Sequence, residues 1–427
     1  MAIVYPLSAA TKEKLEDAGD WLAVSVAASL PWSTSATGIF IALWLLTQLC
    51  TLDITALRRE LAKPAGALPV MLWVVGAVGM LWADVPWQER FAGLGSFNKL
   101  LLIPLLLTRF HRSRRGIMVL YGFLASATTL LLASWTLELL PNLSLNGKYP
   151  GVPVHDYIIQ ATEFLMCAFA LLEAAIENIR SSRLAIGFWL FLFALIFLAN
   201  IFFVASGRSE LLVIPVLLVI ICWRHLGWKG IIGGGIFAGI IAVGLWFSSP
   251  YFNDRILRSV DEYQNMSGST AYHVEFLRKS LSIVETAPVF GHGTGSIEEQ
   301  FQNAAINQTG LSATVTVNPH NQIFAVAIQT GLAGAAVLVA MWVAHLMMFR
   351  GSGLIAWIGL TIVLQNIVAS LFNSHLFDFS AGWLYVFGVG VTGGLMNQQK
   401  STASRLSNGN AVLDQRVSNS PNMNKQA

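Results

Sequence analysis

Runs of about twenty predominantly apolar residues recur along almost the whole chain, and that is the length a helix needs to cross the hydrocarbon core of a bilayer. Apolar runs can be drawn at 21–31, 36–52, 67–83, 97–108, 116–140, 155–177, 184–205, 209–223, 229–248, 320–349, 353–372 and 379–397. Lipid offers the backbone no hydrogen bonds, so segments of this length are expected as helices that satisfy their own peptide groups. The expectation is therefore an all-α, polytopic transmembrane helix bundle of about 12 spans. Only 11% of the 427 residues are charged, against about 25% in an ordinary soluble chain, which excludes a soluble single-core fold. Runs 21–31 and 97–108 are short; they need polar flanks to complete a span, or else are re-entrant segments.

Lys12, Glu13, Lys14, Glu16 and Asp17 precede the first run and leave no room for an early signal region, so that run is expected to stay as a span. Basic residues alternate between loops. Arg58, Arg59 and Lys63 share one loop with Arg109, Arg112, Arg114 and Arg115 in the next even one, followed by Arg180 with Arg183, Arg224 with Lys229, and Arg350. By the positive-inside rule these loops and both termini are cytoplasmic. The other face then receives 84–96, 141–154, 206–208, 249–318 and 373–378. This divides the chain into N-terminal spans over 1–248 (about nine), a periplasmic loop over 249–318, C-terminal spans over 319–398 (about three), and a polar tail over 399–427 too poor in apolar residues to fold alone. The net charge of +3 is spread in short clusters of the kind that set topology, so no nucleic-acid partner is expected. Cys50, Cys167 and Cys222 lie inside apolar runs and form no disulfide framework or metal-spaced cluster.

The 249–318 loop is far longer than a connection requires. From Tyr272 to Glu285, the residues Tyr272, Phe276, Leu277, Leu281, Ile283 and Val284 recur at helical spacing, with His273, Arg278 and Lys279 left elsewhere on the surface. An amphipathic helix near the membrane surface, ended by Pro288, fits this pattern. Beyond it Gly291, Gly293 and Gly295 permit tight turns, read either as a plain turn or as backbone that approaches a ligand closely. Asn318 is a plausible N-cap and Pro319 a first helical residue, which puts His320 in the first turn of a span with Asn321 beside it. There the helix dipole disfavours protonation, leaving a neutral imidazole that accepts a proton, or else a structural interfacial histidine. Arg208, between two spans on the less basic face, is either an anion-binding residue or one that snorkels to the interface. With the free N–H groups of the helix that starts at Ser209 it suits a phosphate or diphosphate. Arg278, Arg255 and Arg258 are candidates for further positive charge. The sequence has no Asp-x-Asp pair, His-Glu-x-x-His, P-loop or Gly-x-Ser-x-Gly, so no metal, nucleotide or other cofactor is expected, and a metal-free reaction on a phosphorylated lipid remains.

These residues resemble the bacterial O-antigen ligases, which share a domain with O-antigen polymerases and some O-linked protein oligosaccharyltransferases. The matching pieces are Ser206, Gly207 and Arg208 after a span; Leu277 and Arg278 leading to the stretch Pro288 to Gly295; Pro319, His320 and Asn321; and Gln329 to Leu332. They cover roughly 200–335. Where many relatives carry another arginine shortly before Arg278, this chain has Tyr272 and His273, which leaves open which loop residue makes the second phosphate contact. The resemblance implies a GT-C-like glycosyltransferase that moves a polysaccharide from an undecaprenyl diphosphate carrier to a sugar of lipid A-core, on the periplasmic face of the bacterial inner membrane and without metal or nucleotide. It implies His320 as general base and Arg208 with Arg278 on the diphosphate, with Arg255, Arg258, His273, Asn321 and Gly293 as further substrate contacts and inversion at the anomeric carbon. The nearest alternatives are a polymerase or protein oligosaccharyltransferase of the same superfamily; a transporter or flippase of lipid-linked sugars is a different class.

Overall fold

The computed structural model describes residues 8–143, 150–154, 156–205, 207–265 and 267–418; for Pro141, Tyr251, Arg255 and 403–418 the backbone alone is described. The α-helices run in the order α1 (Ala9–Ser29), α2 (Thr34–Thr51), α3 (Ile54–Leu61), α4 (Pro64–Gly79), α5 (Trp87–Asn98), α6 (Leu102–Phe110), α7 (Gly116–Leu139), α8 (Tyr157–Arg180), α9 (Leu184–Phe203), α10 (Arg208–Leu226), α11 (Trp228–Ser248), α12 (Pro250–Gln264), α13 (Gly268–Thr286), α14 (Ile297–Ala305), α15 (Gln322–Met348), α16 (Leu354–Ala369) and α17 (Phe379–Ser418). Among the described residues nine segments are helical for long enough, and apolar enough, to cross a membrane, and ten if α3 and α4, bent by 87°, count as one. The chain is a polytopic membrane bundle.

The two short apolar runs are each completed by a polar flank. Run 21–31 is the latter part of α1, which begins at Ala9 with the side chain of Ser8 as its cap. Run 97–108 is the second half of one continuous span, Trp87–Phe110. α16 is apolar but shorter than the rest. Beyond the last apolar run α17 continues as far as Ser418, with no proline to end it before Pro421.

The bundle's interior is filled by aromatic side chains, with Trp44, Phe164, Phe169, Phe197, Trp357 and Tyr385 all fully buried. On the outside the pattern inverts. Ile232, Ile236, Phe237, Ile240, Val243 and Phe247 of α11 are exposed, as expected of a helix whose solvent is lipid.

Side-chain contacts tie several of the loops together. At one end Arg109 pairs with Asp20 and Glu16, Arg112 with Asp53, Arg115 with Asp17, and Arg224 donates to the Gly351 and Gly353 carbonyls. The other end joins the glycine stretch to the end of α4, where the Thr294 N–H donates to the Gly79 carbonyl at 3.1 Å. There too Asn318 bonds Asn373 at 2.8 Å. The helices α12 to α14 form a cap at this second end. It is held by a small core of its own, in which Phe276, Ile283, Val284 and Phe301 pack against Ala327 and Ile328 of α15.

Candidate active site

A cavity of about 1020 Å³ opens beneath the cap, and its lining changes character along its length. At the cap end stand Arg208, Ser269, Thr270, His273, His320, Asn373 and His375; between α10 and α11 it is walled by Ile214, Pro215, Leu218, Ala238, Ile241 and Leu245. Arg208 and His320, 112 positions apart in the chain, thus face one space.

Arg208 is the first residue of α10. Its guanidinium donates to the hydroxyls of Ser269 at 3.0 Å and Thr270 at 2.9 Å and to Glu262 at 2.9 Å, while its Nε is buried with no partner among the described residues. Burial pushes the Glu262 carboxyl up, but bonds from Thr270 and Arg208 outweigh it and hold the group below the ordinary carboxylate range. The arginine is therefore not a free cation. Its charge is balanced by Glu262, its fork is oriented by three hydrogen bonds, and its Nε–H is left without a partner among the described residues.

The backbone around His320 departs from the sequence expectation. α15 starts at Gln322, and the N-cap is Asn321, whose side chain accepts from the Ile323 and Phe324 N–H groups. Asn318 and Pro319 lie outside the helix. The Asn318 carboxamide instead accepts the His320 N–H at 2.9 Å and the Ser374 hydroxyl at 2.8 Å, a side-chain turn that holds His320 at φ +53°. Asn321 spends its oxygen on the cap and donates to the Leu371 carbonyl at 3.1 Å, and it is not among the residues that line the cavity.

The His320 ring is stacked on Phe276, with planes 8° apart and centroids 5.7 Å apart, and meets His273 edge-on at 4.6 Å. Burial holds its pKa below the ordinary histidine value and a hydrogen bond with Asn373 partly restores it. Burial thus favours the neutral imidazole, while Asn373 holds a hydrogen bond to it. Burial, the neighbouring His320 and Arg208 bring His273 down to about 4 against the pull of Glu262, so it too is neutral.

Several expectations are corrected. Arg278 does not line the cavity: its side chain is 65% exposed and makes a two-pronged pair with Glu275 at 2.7 and 3.0 Å. His273 and Lys279, expected on the outer surface, are turned inward, His273 to the cavity and Lys279 to the Thr314 carbonyl at 2.9 Å. Arg258 is 70% exposed and paired with Asp254. The side chain of Arg255 lies outside the described residues. Because Arg278 lies outside the cavity lining, Arg278→Ala is expected to change activity by less than about threefold, as for a substitution away from a site; a loss as deep as that of an Arg208 variant, measured side by side, would place Arg278 in the site.

Gly293 is not among the residues that line the cavity. The glycine stretch docks against α15, with the His292 N–H donating to the Ile328 carbonyl at 2.8 Å, Gly293 to Gln329 at 2.9 Å, and Leu332 back to Pro288 at 2.8 Å. α15 breaks at Gly331, where φ is +66° and ψ −169°, and the carbonyls freed by the break are the ones the stretch satisfies. A Cβ at Gly293 would run into Ala83, and one at Gly331 into the Val289 carbonyl. This backbone region is essentially restricted to glycine and costs other residues about 1–3 kcal/mol before any clash. Gly331→Ala is accordingly expected to lower the melting temperature of the detergent-solubilised protein markedly; an unchanged transition would show that the clamp is not rigid.

Asn373 and His375, in the connection between α16 and α17, were not singled out by the sequence as site residues. The available signal was four polar residues, Asn373, Ser374, His375 and Asp378, in a short link between two apolar helices.

The decisive observation beyond this geometry is that residues 193–339 match the family model described as O-antigen ligase. The similarity to O-antigen ligases lies in these residues. The match runs from within α9 into α15, so the matched region contains Arg208, His273 and His320, whereas Asn373 and His375 come from beyond it. A comparison with curated proteins finds no match. The matched family is one of membrane glycosyltransferase-like enzymes.

Proposed function

We propose that the protein is an O-antigen ligase, which transfers a polysaccharide from undecaprenyl diphosphate to a sugar of lipid A-core, with its active site on the periplasmic face and its basic loops and termini in the cytoplasm. The observation that carries this reading is the two-part cavity. A polar end with an arginine and a neutral imidazole continues into an apolar crevice between α10 and α11, which suits a ligand that is a charged headgroup on a hydrocarbon chain.

In the proposed reaction His320 takes the proton of the acceptor hydroxyl as that oxygen forms a bond to the anomeric carbon of the donor sugar. The bond from that carbon to the carrier diphosphate breaks, and the electron pair leaves with the diphosphate. Arg208 stabilises the departing charge, its spare Nε and the fork now held by Glu262 turning to phosphate oxygens. A lipid diphosphate is a good leaving group, so positioning and charge stabilisation suffice, and one direct displacement inverts the anomeric centre. No step is assigned to Arg278, whose guanidinium is engaged by Glu275.

The test is reconstitution of purified protein in liposomes with carrier-linked glycan and lipid A-core. Covalent glycan on lipid A-core is expected. Chain growth on the carrier alone would instead make it a polymerase, and translocation of carrier without a covalent product a transporter.

A further inference from the structure

His375 lines the same cavity as Arg208 and His320, is 1% exposed, and neither of its ring nitrogens has a hydrogen-bond partner among the described residues. Buried polar groups are almost always paired, and leaving one unpaired costs about what a lost hydrogen bond is worth. The protein shows what a structural histidine looks like elsewhere: His345, equally buried, bonds the Tyr385 hydroxyl at 2.7 Å and the Ala65 carbonyl at 3.0 Å. His375 has no such arrangement.

The backbone that carries it is nonetheless firmly held. The Gln322 Oε1 accepts the Leu376 N–H at 2.9 Å and the Phe377 N–H at 3.3 Å, Lys99 donates to the Phe377 and Asp378 carbonyls, and Asn373 is tied to Asn318. A ring presented by a fixed backbone into a cavity, with both nitrogens free, is a preorganised contact for something that enters the cavity. Burial brings its pKa down to about 4, although Asp378 and Asp156 pull the other way, so it is uncharged near neutrality. A neutral imidazole offers one donor and one acceptor. Ionised phosphate oxygens only accept and would leave one nitrogen unpaired, whereas sugar hydroxyls both donate and accept.

We propose that His375 is a sugar-binding residue of this site, donating one hydrogen bond to and accepting one from hydroxyls of a sugar in the cavity. This rests on reading the site as one for a lipid-linked glycan. The sugar belongs either to the carrier-linked donor or to the acceptor lipid, and binding measurements separate the two. The probes are bare undecaprenyl diphosphate, the same carrier bearing one hexose, and lipid A-core with and without its terminal sugar, each titrated against wild type, His375→Leu and His375→Gln. Wild type is expected to bind the sugar-bearing member of at least one pair more tightly. His375→Leu should lose about tenfold of that increment while holding bare carrier as wild type does, and His375→Gln, which still donates and accepts, should keep most of it. The ligand-free melting temperature of His375→Leu should not fall, because no bond is removed. The proposal is overturned if both sugar increments survive in His375→Leu, if bare carrier is weakened equally, or if both variants lose their fold. If wild type binds neither carrier, the reading of the whole site fails with it; if it binds them and only the increment is insensitive to His375, this inference alone fails.

Discussion

His320→Asn is expected to reduce transfer to lipid A-core by about 10²–10⁴-fold, the usual worth of a positioned general base, with the protein still folded and inserted. Asparagine is chosen because His320 sits at φ +53°. Asparagine tolerates that left-handed backbone, so the substitution removes the base without adding the strain that most residues would. His320→Ala should show the same catalytic loss. The active form is the neutral imidazole, and burial places its pKa below the ordinary histidine value near 6.5. The rate is therefore expected to be flat above that pH and to fall only as pH drops through the lowered pKa. Stability follows the same sign. The folded protein binds protons at His320 and His273 less readily than the unfolded chain, so the contribution of these groups is complete above about 6.5 and is lost as pH falls toward about 4. Full activity in His320→Asn would remove this residue as the base.

Arg208→Lys is expected to lose about 10²–10³-fold in kcat/KM, in the range seen when one preorganised donor to a developing charge is removed. The guanidinium meets Ser269, Thr270 and Glu262 from one planar fork and still has Nε in hand. A lysine ammonium is a point charge that cannot reproduce that spread. Arg208→Ala adds a complication, because it leaves the partly buried Glu262 without its cation. Glu262→Gln serves as the control, since its carboxamide still accepts from Arg208 and Thr270. It should keep most of the activity, whereas Arg208→Lys should not. If lysine works as well as arginine, net charge is all the site requires.

The bundle was legible because membrane spans are written in composition. Run after run, 116–140 and 184–205 among them, maps onto a helix. What was not legible depends on three-dimensional partners. Asn318 and Asn321 are both good caps, and only the bonds from Asn318 to Asn373 and Ser374 decide that Asn321 takes the role. Arg278 and His273 share a helix, and the turn of α13 against Phe301 decides which faces the cavity. Gly293 and Gly331 each carry a glycine signal, but a sequence does not reveal that the two segments clasp each other. Glu163 is the most hidden case. Six residues into α8, about 9 Å along the helix, its carboxyl is buried with no partner among the described residues, and nothing in its surroundings in the sequence marks it.

The most direct test of the central claim, that a lipid-linked substrate occupies the cavity beneath the cap, is photocrosslinking. An undecaprenyl diphosphate with a diazirine in its isoprenoid chain would be irradiated with the membrane-embedded protein and the labelled peptides mapped by mass spectrometry. Labelling of α10 and α11 around Leu218, Ile241 and Leu245, lowered by Arg208→Ala, is expected. Label confined to the separate crevice lined by Ile41, Leu102 and Trp383, and indifferent to Arg208, would contradict it.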